Sequence, residues 1–254
     1  MFDALRSMIT VRSNRKEIYS KPEYWNRRAI DDEGSTVSMW RNKTLNAYYE
    51  REQFAFIDGA LGDVRGRTVL DIGCGTGRLS RHLSSRGARV TAFDFAEGPI
   101  TIARSLDPQE AIAYRVQSVF DLDDVGAYDC AVALGNITVA CKSANDVTMV
   151  LQRLHRALKP QGKLVFVEPL HDNFLKRVLA LSLKEFLRLL EDNGFRVEMR
   201  RELHFWPTRL PLSLGNFSAP VTASGYYVGR MLMALGGEAL GFGDYKAIAA
   251  KRID

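Results

Sequence analysis

A chain of 254 residues with 46% apolar and 26% charged residues carries enough apolar material for a buried core, which excludes a disordered polymer. No apolar run reaches the ~18 residues that cross a bilayer. The first residues lack the unbroken apolar stretch of a secretory leader, so the expected compartment is the cytoplasm. Three cysteines, Cys74, Cys130 and Cys141, are too irregularly spaced for a disulfide framework or a zinc site, and packing is their expected role. The net charge of +5 includes a crowd of bases in the first thirty residues, Arg6, Arg12, Arg15, Lys16, Lys21, Arg27 and Arg28. They lack the aromatic interleaving that stacks bases, which disfavours a nucleic-acid partner.

Residues 1–37 are polar, contain Pro22 and Gly34, and read as an irregular arm with one short helix. From Ser38, an expected N-cap, the residues Trp40, Leu45, Tyr48, Tyr49, Phe54, Phe56, Ile57 and Leu61 recur at helical spacing up to Gly62. A β-branched run at 67–72 predicts a first strand, 77–86 a helix stopped by Gly87, and 89–94 a second strand ending in Asp94. A helix follows at 99–106, with Pro99 in its first turn, then strands at 112–117 and 128–134. The spacing of Val147, Val150, Leu151, Leu154 and Leu158 predicts a helix over 145–158, followed by strand 163–167. Helix 183–193, strand 195–203, a segment 204–243 rich in Pro, Gly and aromatics, and a last strand at 245–250 complete the chain. Strands separated by helices call for a parallel sheet with right-handed crossovers.

The turn between the first strand and its helix reads Asp71-Ile72-Gly73-Cys74-Gly75-Thr76-Gly77. Glycines permit positive φ and let the backbone approach a ligand closely. A dinucleotide site would place its third glycine one position later, where this chain has Arg78, so a pyrophosphate binder is a poor match. Val-Leu-Asp-Ile-Gly-Cys-Gly-Thr-Gly followed by Val-Thr-Ala-Phe-Asp resembles the class I S-adenosylmethionine-dependent methyltransferases. The order continues through residues 128–134, 154–162 and 166–169, and the resemblance covers about residues 67 to 203.

The resemblance implies an α/β fold: a doubly wound, seven-stranded, mostly parallel sheet with helices on both faces and an antiparallel last strand. It implies S-adenosyl-L-methionine as cofactor and no metal. Asp71, Gly73, Cys74, Gly75 and Gly77 then shape the cofactor site, and Asp94 holds the ribose hydroxyls. Ser118 stands where the family commonly has an acid or amide for the adenine amine. This leaves the Ser118 hydroxyl, Gln117 or the Val119 amide to make that contact. Phe95 is placed to pack on the purine, core packing being the alternative, and Asn136 falls at the cofactor position after strand four. Residues 1–62 then form an arm and helical lid. Residues 63–254 form the methyltransferase domain, with a substrate-side insertion at 204–243.

Ligands of open α/β sheets bind beyond the carboxyl ends of the strands. That edge receives His171 after strand five and His204 after strand six, the two candidates for a general base. Methyl transfer needs such a base only when the acceptor carries a proton at working pH, as a phenol does. His82 and His155 fall inside predicted helices and are expected to be structural. The aromatics Tyr24, Trp25, Trp40, Tyr48 and Tyr49, with those of the insertion, suggest a small aromatic or apolar acceptor, with O-methylation ahead of N- or C-methylation. Arg51 is a candidate for the cofactor carboxylate, with a surface arginine as the simpler alternative. Alternatives for the whole chain are a nucleic-acid or protein methyltransferase and a non-catalytic binding partner. For residues 226–240 they are a homodimer contact or a membrane surface.

Overall fold

The computed structural model describes residues 15–31, 40, 42–170 and 179–254. Among its described residues the arm holds two helices rather than one, α1 (Arg15–Ile18) and α2 (Pro22–Asp31). Pro22 opens α2 at a position where its missing N–H costs nothing, so the residue that suggested irregularity is a helix start. The aromatic helix α3 runs over Lys43–Leu61 and is capped by Asn42, whose Oδ1 accepts from the Leu45 amide at 3.0 Å. The expected cap Ser38 lies outside the described residues.

The next elements are β1 (Thr68–Ile72), α4 (Arg78–Ser85), β2 (Arg89–Asp94), α5 (Glu97–Ser105), β3 (Ala113–Val116) and β4 (Tyr128–Leu134). A short α6 (Ile137–Ala140) precedes α7 (Ala144–Ala157), which begins in a capping box between Ser143 and Asp146. Strand β5 (Leu158–Glu168) starts five residues before the expected strand, because Leu158 already pairs with Tyr128 across an irregularity in the ladder. After α8 (Leu183–Asp192) and β6 (Phe195–Phe205), the segment rich in Pro, Gly and aromatics forms helices α9 (Trp206–Ser213) and α10 (Ala219–Leu232) and a π-turn at Met233–Gly237. Strand β7 (Gly243–Arg252) closes the fold.

The sheet has seven strands in the order β3-β2-β1-β4-β5-β7-β6. β7 runs antiparallel to both neighbours, and the other pairings are parallel. The period of two along each strand splits the core into two layers. Leu70, Ile72, Phe93 and Phe166 meet α7 and α8 on one face, and Val69, Val90, Val132 and Val165 meet α3, α4 and α5 on the other. The arm reaches α5 through Asn26, whose Oδ1 accepts from the Gly98 amide at 2.7 Å. No helix among the described residues is long and apolar enough to cross a membrane.

The polar anchor of the sheet edge is Glu168, fully buried at the end of β5. Its carboxylate accepts from the amides of Asn136, Ile137 and Thr138 at 3.1, 3.0 and 3.2 Å and from the Thr138 hydroxyl at 2.8 Å. Those amides begin α6 and have no carbonyl of their own to meet, so the carboxylate replaces the missing turn. Burial outweighs these donors and pushes the Glu168 carboxyl up from 4.5 to about 7. The folded protein therefore holds a proton here that the unfolded chain releases, and stability from this group is lost as pH rises from 4.5 through about 7. The loss amounts to about 3 kcal/mol. Asp71, also raised to about 7 by burial, acts in the same direction. Melting temperature measured from pH 4.5 to 8 should fall across that window, and Glu168→Gln should flatten the slope without abolishing it.

Candidate active site

The loop after β1 turns on three glycines with positive φ: Gly73 at 61°, Gly75 at 54° and Gly77 at 76°. At Gly73 a Cβ would come within 2.7 Å of the Asn136 carboxamide, and at Gly77 it would collide with the Tyr114 phenol. Any L side chain at either point meets both backbone strain and a filled space. Asn136 buttresses this turn, its Nδ2 donating to the Ile72 carbonyl. One strand over, the Asp94 carboxylate accepts from the Gly75 amide at 3.1 Å and the Ala96 amide at 3.0 Å. Two backbone donors fix its orientation and leave lone pairs for a ligand.

A cavity of about 730 Å³ opens above these loops. It brings together Asp71, Gly73, Cys74, Gly75, Asp94, Phe95, Ser118, Val119 and Asn136 from the expected set, with Gln117 and Phe120 beside them. Gly77 stands just behind the wall as the N-cap of α4. Ser118 caps a short 3-10 turn, its Oγ accepting from the Phe120 amide at 3.2 Å, so its own O–H remains available to donate. Burial raises the Cys74 thiol well above its ordinary range, which fits a packing role for the sulfur.

The aromatic arm meets the cavity in part. Tyr19, Trp25, Trp40 and Tyr49 line it, while Tyr24 packs on Tyr19 and Trp25, and Tyr48 stacks on Tyr226 at 4.6 Å. Of the insertion, no described residue from 205 to 243 lines the cavity, and after Met149 the next described residue that does so is Tyr245. Helices α9 and α10 instead pack against the outside of α3, tied by Asn42 Nδ2 to the Leu212 carbonyl at 3.1 Å and the Thr222 hydroxyl at 3.0 Å. The other side of α10 leaves Val221, Tyr227, Val228 and Met231 exposed.

His204 also stands one layer behind the wall. It is buried at 1% exposure, with its ring stacked on Tyr49 at 3.9 Å and tilted against Tyr245 at 5.0 Å. His171 lies outside the described residues. His82 meets both Asp58 oxygens at 3.0 Å, and His155 meets the Ile253 carbonyl at 3.0 Å, both away from the cavity. Arg51 sits on the surface, 5.8 Å from the Tyr48 ring. Among the described residues the arginine that lines the cavity is Arg78, ion-paired with Glu50 and lowered to about 10 by burial. Glu50 belongs to a stripe of α3, Asn46, Tyr49, Glu50 and Gln53, whose helical spacing puts all four on the cavity side. That spacing was present in the sequence, hidden among the aromatics.

The electrostatics select between ligands. Asp71 is buried under the loop, accepting from Ser80 Oγ at 2.5 Å, and burial followed by the nearby Asp94 pushes its carboxyl up. Asp94 is likewise raised by burial. A pyrophosphate would add negative charge beside two carboxylates that already resist ionising, whereas a sulfonium or ammonium relieves them. Together with the Cβ-free cradle, the oriented Asp94 and the flat Phe95, this donor set fits S-adenosylmethionine.

The comparisons agree with that chemistry. A family described as a methyltransferase domain matches residues 69–162. A ubiquinone biosynthesis O-methyltransferase of Xanthomonas oryzae pv. oryzae is 35% identical over 136 residues, which cover 52% of this chain and 55% of that protein. The chain thus spans little more than half the length of such curated relatives. An S-adenosylmethionine-dependent methyltransferase from Mesorhizobium loti superposes with a TM-score of 0.60, at 19% identity, over 79% of this chain and 97% of that one. Geranyl diphosphate C-methyltransferase from Streptomyces coelicolor A3(2), solved with S-adenosyl-L-homocysteine, also gives 0.60, at 20% identity, over 80% and 79% of the two chains. These two structures share the fold, and residues 69–162, which hold the glycine loop and Asp94, are similar to a methyltransferase domain.

Proposed function

We propose that the protein is a small-molecule O-methyltransferase whose acceptor is a largely apolar, aromatic hydroxyl compound. The observation that carries this reading is the composition of the cavity wall: Trp25 from α2, Trp40 and Tyr49 at α3, and Tyr245 from β7. Tyr245 stands four strands along the sheet from Asp94, so the aromatic end and the acidic end are separate. Flat apolar walls favour a flat apolar acceptor. The name of the Xanthomonas relative supports oxygen as the receiving atom.

S-adenosylmethionine, when bound, supplies an activated methyl group with its leaving group attached. The chain's part is alignment and exclusion of water. Asp94 holds the ribose, Ser118 and the Val119 backbone meet the adenine edge, and Phe95 covers the purine face. The glycine loop lets the methionine end approach the β1 terminus. A phenolic acceptor must lose its proton, and we assign that task to His171, which follows β5 in sequence. His204 serves the same reaction only indirectly, by backing Tyr49.

Incubation with labelled S-adenosylmethionine and a panel of alkyl-substituted phenols and catechols should label the ether product. Labelling only of amines, protein or RNA in the same mixture, or no transfer at all, would refute the O-methyl reading. Asp94→Asn should weaken S-adenosylhomocysteine binding by about 1–3 kcal/mol, measured by calorimetry, because it removes a charged acceptor. His171→Ala should lower turnover about 10²–10⁴-fold with cofactor affinity held within about twofold, the signature of a lost base. Unchanged turnover would remove His171 from the mechanism.

A further inference from the structure

Arg209, on α9 of the insertion, is 6% exposed and donates to Asp244 at 2.7 Å, a carboxylate with no exposure at all. Its guanidinium carbon lies 5.2 Å from the centroid of the Trp40 ring. Trp40 in turn meets Tyr49 edge-on at 5.4 Å, and Tyr49 is the ring stacked on His204. Trp40 and Tyr49 line the cavity, whereas Arg209 and His204 do not. The Arg209 charge is felt as far as Tyr49, where it works against the upward push of burial on the phenol.

A cation held over an aromatic face attracts it most when both are desolvated, and burial of the Arg209–Asp244 pair supplies that condition. The hydrogen bond from Arg209 Nη2 to Asp244 Oδ1 anchors the guanidinium beside the ring. Asp244 adjoins Tyr245, a third ring of the same wall. Among the described residues no hydrogen bond, ion pair or ring contact links Arg209 to the glycine loop, Asp94 or Ser118, so its reach ends at the aromatic side.

We propose that Arg209 is a positioning residue for the acceptor end of the cavity, through which the 204–243 insertion sets the shape of a wall it backs without lining. Held by Asp244, Arg209 keeps Trp40 edge-on to Tyr49 and leaves the cofactor end alone. Only the kinetic arm of its test rests on the methyltransferase reading above.

The test uses protein labelled with 5-fluorotryptophan, which gives three fluorine resonances from Trp25, Trp40 and Trp206. Trp40→Phe identifies the relevant one. Arg209→Met should shift or broaden the Trp40 resonance while Trp25 stays in place. The double variant Arg209→Met with Asp244→Asn, which leaves no buried lone charge, should do the same. Arg209→Lys, keeping the charge without the planar fork, should restore the signal in part. S-adenosylhomocysteine affinity should stay within about twofold, and KM for a phenolic acceptor should rise about tenfold with little change in kcat. An unmoved Trp40 resonance in the double variant, or cofactor affinity falling as far as acceptor affinity, would overturn the proposal. If no phenol is methylated, the functional reading fails, and the fluorine spectra still decide the role of Arg209.

Discussion

Parallel pairing of β1 with β2 on one side and β4 on the other forces three loops to leave the sheet at one level. Ile72 stands opposite both Phe93 and Ala133, so the chain reaches Gly73, Asp94 and Leu134 within a residue of one another. Backbone amides released at these strand ends need acceptors, and two buried carboxylates supply them. Asp94 takes the amides of Gly75 and Ala96, and Glu168 takes those of residues 136–138. The site is thus assembled from the loose ends of the sheet, and its rigidity is that of the ladder beneath it.

The two ends of the cavity are built from different forces. At the β1–β2 end, buried carboxyls are pushed up by desolvation, and the surroundings favour a ligand with positive charge. At the α3–β7 end, the wall is aromatic and is stiffened from behind by His204 and Arg209. The first end is shaped largely by backbone, with glycines at 73, 75 and 77 fixing the turn. The second end is made of side chains on an arm and on α3, where small changes of residue alter the shape.

The strands and the glycine loop were legible because their signals are local. Apolar runs bounded by Gly or Pro give β1 to β4 within a residue or two, and Asp94 follows from its place at a strand end. The insertion was not legible in the same way. Pro207 and Pro220 stand in first turns, where proline starts a helix, yet proline and glycine density reads as loop. Its failure to line the cavity depends on Asn42 gripping Leu212 and Thr222, contacts between residues about 170 positions apart that no pattern announces. His204 shows the same limit: topology brings it to the correct edge, but stacking on Tyr49 removes its ring from the wall. Glu168 is the reverse case, an acid after an apolar strand whose value appears only when three amides converge on it.

The contact between Asn26 and Gly98 has a thermodynamic consequence. Gly98 lies two residues beyond Ala96, whose amide orients Asp94, so the docking of α2 and the orientation of Asp94 share the stretch from Asp94 to Gly98. Linkage requires that any free energy a bound ligand gains from ordering this stretch be returned as an equal tightening of the arm. The arm carries Tyr19 and Trp25 to the cavity wall. Ligand binding and arm docking are then two sides of one equilibrium, written into five consecutive residues.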